Sequence, residues 1–424
     1  MATINAPRGT ADILPAESWK WQTIERIARD VAEVYHFGEI RTPVYEHAEL
    51  FHRGVGETSD IVQKETFTFK PRPESELITL RPEGTAGVVR AAIENSLIAQ
   101  EGARVKVFYL GPNFRYERPQ KGRLRIHHQF GAEAFGVAEP EQDVECILLQ
   151  MDFYRRCGVK DLSLQINSMG DRPSKARYRE MLLAFLQPKA AQISEDSQRR
   201  LVENPLRILD SKDPRDQQAI QGAPPASESL SDRSRAHLAR VEQMLGDAAI
   251  SYTVNPNLVR GFDYYTETLW EVTASGLGAQ NAIGGGGRYD NLVEMLGGRP
   301  SPGVGFGCGL ERLLLALESQ GVELPRQAQP LVWLISLGDA ARQANFALLR
   351  ELRANGVAAD MEPTGRSAKA QFKIADREQA KVAVTVGDNE LAAGEVEVKV
   401  LQTAQQRKVP RADLIAALRD LLAS

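Results

Sequence analysis

The sequence has 424 residues, 42% of them apolar and 25% charged, with a formal net charge of −4. That length exceeds what a single core usually supports, so two or three domains are expected, and the mild acidity excludes a globally basic nucleic-acid binder; any RNA must meet local basic patches. Cys146, Cys157 and Cys308 show no CxxC or Cys/His spacing, which argues against a disulfide framework or a zinc site; with no signal-like start and no run near the roughly 18 apolar residues of a membrane span, a cytoplasmic protein with no membrane partner is expected.

Trp19, Ile24, Ile27, Val31 and Val34 recur at helical spacing and predict a long amphipathic helix over 16–35, stopped at Gly38 and followed by a short extended piece that closes at Pro43. A strand is predicted over 77–80. The next residues, Arg81-Pro82-Glu83-Gly84-Thr85-Ala86, turn into a helix. Glu83 there reads either as a first-turn acid favoured by the helix dipole or, with Thr85, as a carboxylate and hydroxyl offered to an ammonium group.

The stretch 105–136, VKVFYLGPNFRYERPQKGRLRIHHQFGAEAFG, alternates on both sides of a basic connection and predicts a hairpin with a charged tip. In its returning strand Ile126, Phe130, Ala132 and Ala134 form the apolar face. Gln129, Gly131 and Glu133 form a polar slot, with a carboxylate at its base and room over Gly131 for a small ligand. Arg115, Arg118, Lys121, Arg123 and Arg125 place five cations in eleven residues against one acid, Glu117. The composition suits phosphate, or simply a solvated tip.

A helix over 143–154 and a strand over 162–166 follow. Residues 171–250 are polar, helix-prone and broken by prolines, and predict an inserted helical module. Next come Arg260-Gly261-Phe262-Asp263-Tyr264-Tyr265-Thr266, leading into a strand over 269–272, and the glycine-rich Gly284-Gly285-Gly286-Gly287-Arg288-Tyr289-Asp290, leading to a helix with Leu292, Val293 and Leu296. In Gly303-Val304-Gly305-Phe306-Gly307-Cys308-Gly309 every odd position is glycine. This predicts a strand with one bare face, a surface suited to a flat base, and Arg312 on the following helix suits a base or its phosphates. Residues 326–330 read as a linker. From 331 the chain alternates strand and helix as a separate α/β domain, in which Arg366, Lys369, Lys373 and Arg377 form one basic helix face, a solvated face or an RNA contact.

FRYERPQKGRLRIHHQFGAEAFG resembles motif 2 of class II aminoacyl-tRNA synthetases in the form found in the histidyl-tRNA synthetase family. The resemblance extends to LRPEGTAG, to RGFDYYT, to GGRYD with an altered lead-in, to GFGCGLERLLL as motif 3, and to GRSAKAQFKIAD in the anticodon-binding domain. The helix, strand and Pro43 near the N-terminus are similar to motif 1, which lies at the dimer interface in this class.

The fold this implies is α+β: a six-stranded antiparallel sheet flanked by helices in a catalytic domain over 1–325, interrupted by a helical insertion over 171–250, then an anticodon-binding α/β domain over 331–424. The activity it implies is ATP-dependent attachment of L-histidine to tRNA(His) through a histidyl-adenylate, by a homodimer, with Mg2+. Glu83, Gly84, Thr85 and Gln129 would hold the substrate ammonium group. Glu133, Tyr264 and Tyr265 would read the imidazole, Arg115 and Arg260 would act on the α-phosphate, and Arg115 would also meet the substrate carboxylate. For ATP, Glu117 would contact the adenine, Arg123 the terminal phosphates, and Gly305, Gly307 and Arg312 the rest of the nucleotide. No protein metal ligands are expected. A non-catalytic alternative is a synthetase-like regulatory subunit of ATP phosphoribosyltransferase. That relative lacks the C-terminal domain and lets catalytic motifs decay, whereas Glu83, Arg115, Arg260 and Arg312 are present here.

Overall fold

The alternating residues on either side of the basic connection form two ten-residue antiparallel strands, Val105–Phe114 and Ile126–Phe135, paired from Val105 opposite Phe135 to Phe114 opposite Ile126. The computed structural model describes residues 3–56, 59–100, 102–260, 262–278, 281–326 and 330–423; Gly261 and most of the expected linker lie outside them. The chain divides into two units, residues 1–326 and 327–424.

In chain order the first unit contains β1 (Gly38–Glu39), β2 (Tyr45–His47), β3 (Phe67–Phe69), β4 (Ile78–Leu80), β5 (Val105–Phe114) and β6 (Ile126–Phe135). It continues with β7 (Leu162–Ser168), β8 (Tyr252–Val254), β9 (Thr266–Ala274), β10 (Ala282–Arg288) and β11 (Gly303–Gly309). Strands β5-β6-β11-β10-β9-β7 form a six-stranded antiparallel sheet, as the family resemblance implies. The two-residue β1, at the start of the short extended piece expected before Pro43, adds one parallel edge, and the three-residue β8 adds another that sequence reading missed because a strand so short carries no period. Strands β2, β4 and β3 make a small separate sheet.

One face of the large sheet is apolar. Phe130, Ala132, Val304, Phe306, Trp270 and Val272 are buried there beneath the helices Pro15–Val34, Pro140–Arg156, Asp232–Asp247 and Leu310–Ser319. Trp270 is fully buried, and its indole N–H donates to Gln150 Oε1 at 2.6 Å; truncating an aromatic so placed typically costs about 3–5 kcal/mol. The glycine run, expected as an approach to a helix, is itself the strand β10. A Cβ at Gly286 would come within 2.5 Å of the Trp270 ring, so glycine here lets a central strand lie flat over a large indole. The helix after it is only Leu292–Met295.

The expected insertion also differs in extent. Its last helix, Asp232–Asp247, buries Val241 and Leu245 in the core under the sheet and belongs to the body of the unit. Tyr178, Leu182 and Leu186 of the helix Arg172–Leu186 share a cluster with Tyr264, Tyr265 and Leu269. The insertion is therefore packed onto the other face of the same sheet rather than set apart.

The second unit contains β12 (Val332–Ser336), β13 (Ala359–Met361), β14 (Val382–Val386), β15 (Glu395–Val400) and β16 (Gln406–Pro410) in the order β13-β12-β14-β15-β16. The first three are mutually parallel and the last two antiparallel. β16 was not expected, because only Val409 of Gln406–Pro410 is buried and an exposed polar edge strand has no alternation to read.

Candidate active site

Alternation puts every other residue of β5, β6, β11, β10 and β9 on the face away from the four helices, which gathers Tyr109, Asn113, Gln129, Glu133, Gly305, Gly307, Gly285 and Glu271. Glu133 is fully buried. Its Oε1 accepts from Thr85 Oγ1 at 2.7 Å and from the Tyr109 hydroxyl at 3.3 Å, and its Oε2 accepts from the Tyr289 hydroxyl. Burial pushes its carboxyl up to about 8 despite those donors. Burial thus favours the protonated form of Glu133 near neutral pH.

The glycines beside it are not vacant. A Cβ at Gly305 would stand 1.8 Å from Glu133 Oε2, and one at Gly307 would stand 1.7 Å from Gln129 Nε2. The bare face of β11, expected to meet a flat base, is instead covered by these two side chains. The room expected over Gly131 is taken by Tyr109, whose Cζ would be 2.2 Å from a Cβ there; the same ring closes on Gly84 at 2.3 Å. Tyr109 and Tyr289 were missed as site residues. Tyr109 sits opposite Gly131 in the hairpin register, so pairing the two predicted strands would have exposed it.

Glu83 is buried, and its oxygens accept from the backbone N–H of Thr85 at 2.6 Å and of Ala86 at 2.8 Å. The first-turn reading of this acid is thus physically met at the start of the helix Thr85–Glu94, while Thr85 joins it to Glu133. Burial raises its carboxyl above the usual range, opposed by those amides and by the Arg115 cation. The loop is anchored by buried Arg81, which donates to the Pro112 carbonyl at 2.9 Å and to Thr42 Oγ1 at 3.0 Å.

Arg115 Nε donates to the Pro82 carbonyl at 2.8 Å, and its guanidinium lies 5.9 Å from the Phe262 ring centre. Gln129 Oε1 accepts from Asn113 Nδ2 at 2.6 Å. On the same face of β6, His127 is held neutral by burial and by Arg115, its imidazole pushed down to about 3. Arg260 donates to Glu271 Oε2 at 2.7 Å and covers Gly285. Phe262, Tyr264, Tyr265 and Tyr289 form an aromatic wall, with Phe262 and Tyr264 stacked at 5.1 Å and Tyr264 and Tyr265 tilted against each other at 4.8 Å.

Glu117 and Arg123 of the hairpin tip pair at 3.7 Å. Arg312 donates to the Ala282 carbonyl, and burial together with the nearby Arg123 cation lowers its guanidinium from the ordinary value, opposed by Glu271 and Glu117. Glu117, Arg123 and Arg312 thus lie near one another and near Glu271, whereas Arg115 lies nearer Glu83. In the second unit Arg366, Lys369, Lys373 and Arg377 are all exposed along or just before the helix Ala368–Arg377.

The family profile described as Histidyl-tRNA synthetase matches residues 9–313, and the one described as Anticodon binding domain matches 332–421. The histidine–tRNA ligase of Moorella thermoacetica is 50% identical over 415 residues, 98% of each chain. That of Streptococcus gordonii is 49% identical over 404 residues, 95% of each. The crystal structure of apo S. aureus histidyl-tRNA synthetase superposes with a TM-score of 0.83 at 37% identity, covering 98% of this chain and 99% of that one. The C-terminal match and the near-complete coverage disfavour the regulatory-subunit alternative. The chain belongs to the histidyl-tRNA synthetase family, a group of aminoacyl-tRNA ligases.

Proposed function

We propose that the chain joins L-histidine to tRNA(His) in two steps on the face built around Glu133. The histidine carboxylate attacks the α-phosphorus of ATP, the bond to pyrophosphate breaks, and pyrophosphate leaves; magnesium bound with the nucleotide would help to neutralise its phosphate charge. A hydroxyl of the terminal adenosine of tRNA then attacks the acyl carbon, and AMP departs. No side chain acts as a nucleophile.

Glu133, a buried carboxyl ringed by three hydroxyls, is the observation that carries this reading. It receives the imidazole beneath the Tyr264 and Tyr265 wall, while Glu83, Thr85 and Gln129 receive the ammonium group. Arg115 and Arg260 offset the charge that builds at the α-phosphate, an electrostatic contribution of about a hundredfold to a thousandfold per donor in comparable sites. Glu117, Arg123 and Arg312 take the nucleotide. Gly305 and Gly307 serve the site by admitting Glu133 and Gln129 to the sheet surface.

The exposed basic helix of the second unit contacts the anticodon arm. Val34, Val44, Tyr45 and Leu77 are exposed apolar side chains close to the motif 1 segment, which suits a homodimer there. No helix among the described residues is long and apolar enough to cross a membrane, in keeping with work in the cytoplasm. The deciding test is exchange of labelled pyrophosphate into ATP with each of the twenty amino acids in turn. Histidine alone should support it, with analogues lacking the imidazole rejected by roughly 10⁴ or more; exchange with another amino acid and not histidine would overturn the reading.

A further inference from the structure

The segment that carries Arg260 and Tyr265 is gripped from outside the site. Lys175 Nζ donates to two of its carbonyls, those of Asp263 and Tyr265, the second at 3.1 Å. Asp263 Oδ1 accepts from Asn204 Nδ2 at 2.8 Å and from Arg207 at 3.1 Å. Lys175 lies on the helix Arg172–Leu186, Asn204 caps the helix Glu195–Glu203, and Arg207 lies on the turn Pro205–Ile208. All three donors therefore come from the inserted helices, and between them they hold Asp263 and Tyr265.

On its other side the segment is closed off. Asp263 N–H points to the Val55 carbonyl at 3.4 Å, and a Cβ at Gly56 would come within 2.6 Å of Asp263 Oδ2. A cavity of about 30 Å³, enough for about one water, is lined by Lys175, Asn204 and Arg207 together with Arg260, Tyr265 and Leu269. Phe262, one residue before Asp263, stacks on Tyr264 and faces the Arg115 guanidinium. A shift of Asp263 would therefore reach Arg260, Tyr265 and Arg115 together.

We infer that Lys175, Asn204 and Arg207 are positioning residues for histidine activation, a latch through which the inserted helices set Arg260 and Tyr265 by way of Asp263. The latch rests on the roles given to Arg260 and Tyr265 above. It touches neither substrate nor nucleotide. Losing Lys175 leaves two carbonyls without their shared donor and frees the peptide that aims Tyr265, and a displacement of about 1 Å in such a site costs on the order of a hundredfold.

The test is steady-state pyrophosphate exchange by the full chain without tRNA, with histidine and ATP varied separately. Lys175→Met should lower kcat/KM for histidine by about tenfold to a hundredfold while KM for ATP stays within about twofold, and Lys175→Arg should restore part of it. Arg207→Gln, a change at the rim that empties no core, should give a loss of about threefold or more and be non-additive with Asp263→Asn. If Lys175→Met does not fold, Arg207→Gln and the double variant decide alone. Folded latch variants with unchanged exchange, or with only KM for tRNA altered in full aminoacylation, overturn the latch. Arg260→Ala run alongside separates the two ideas: if it slows exchange and the latch variants do not, the latch alone falls, whereas normal exchange by Arg260→Ala removes the functional reading and the latch with it.

Discussion

The two sides of the site face work by opposite physics. Around Glu133 a carboxyl is sealed among the hydroxyls of Thr85, Tyr109 and Tyr289 and is pushed up to about 8. Toward the hairpin tip, Arg123 and Glu117 form a partly exposed pair beside half-buried Arg312. Desolvation on one side makes a misfit guest costly, because a buried polar group left without a partner loses its hydration for nothing. Fixed cations on the other side would, on the proposed reading, offset developing phosphate charge without demanding close shape. On the proposed reading, selection would fall to the sheet face around Glu133 and acceleration to cations carried beside it on the hairpin connection and the helix Leu310–Ser319.

Gly305→Ala should break the comparison hardest. Its Cβ would fall 1.8 Å from Glu133 Oε2 and 2.5 Å from the Ala132 carbonyl, so the sealed side must distort, and histidine-dependent pyrophosphate exchange should fall by about a thousandfold or more. Far-UV circular dichroism should stay close to that of the parent, and near-parental exchange would contradict the packing described.

Arg260→Ala disturbs the cationic side alone. Single-turnover adenylate formation should slow by about a hundredfold to a thousandfold, with histidine affinity by calorimetry changed little. An equal loss in binding and rate would mean that the two sides are not separable.

Glu133→Gln sharpens the contrast by its pH dependence. Glu133 has a folded-state value near 8 against an ordinary 4.5. Between those values the folded protein holds a proton that the unfolded chain has released, so the stability it contributes is full below the lower value and is lost as pH rises through the upper one. Glutamine does not titrate. The variant's Tm, measured without substrate, should therefore gain on the parent steadily from about pH 5 to about pH 8 and level off above; parallel curves would show that Glu133 is not held protonated.

Much of this face was legible before any coordinates. The alternation at 126–134 separated apolar Phe130, Ala132 and Ala134 from Gln129 and Glu133, because a half-buried strand must expose its two faces to different solvents. What periodicity could not show was how facing strands fill one another's gaps. Gly131 and the glycines of β11 read as space left for a ligand, yet Tyr109, Gln129 and Glu133 occupy it; pairing the hairpin would have shown Tyr109 over Gly131, but the β11–β6 register joins strands distant in sequence and is not written in either alone. Glu83 posed the reverse problem: one carboxylate answers both the amides at a helix start and the chemistry of the site, so its local pattern could not separate the roles. The extent of the insertion was misjudged for a third reason. The helix Asp232–Asp247 is polar on average, and only Val241 and Leu245 reveal that one stripe lies in the core.

The lack of side chains at Gly305 and Gly307 also limits how the protein could be retuned. Any single replacement at those positions adds atoms where Glu133 Oε2 and Gln129 Nε2 already stand, so the floor admits no graded adjustment. The hydroxyls of Tyr109 and Tyr289 can each be deleted by exchange for phenylalanine, and that of Thr85 by exchange for the isosteric valine, with the surrounding shape kept. A designer seeking to load a non-natural heteroaromatic amino acid onto tRNA should therefore leave the strands alone and edit the walls.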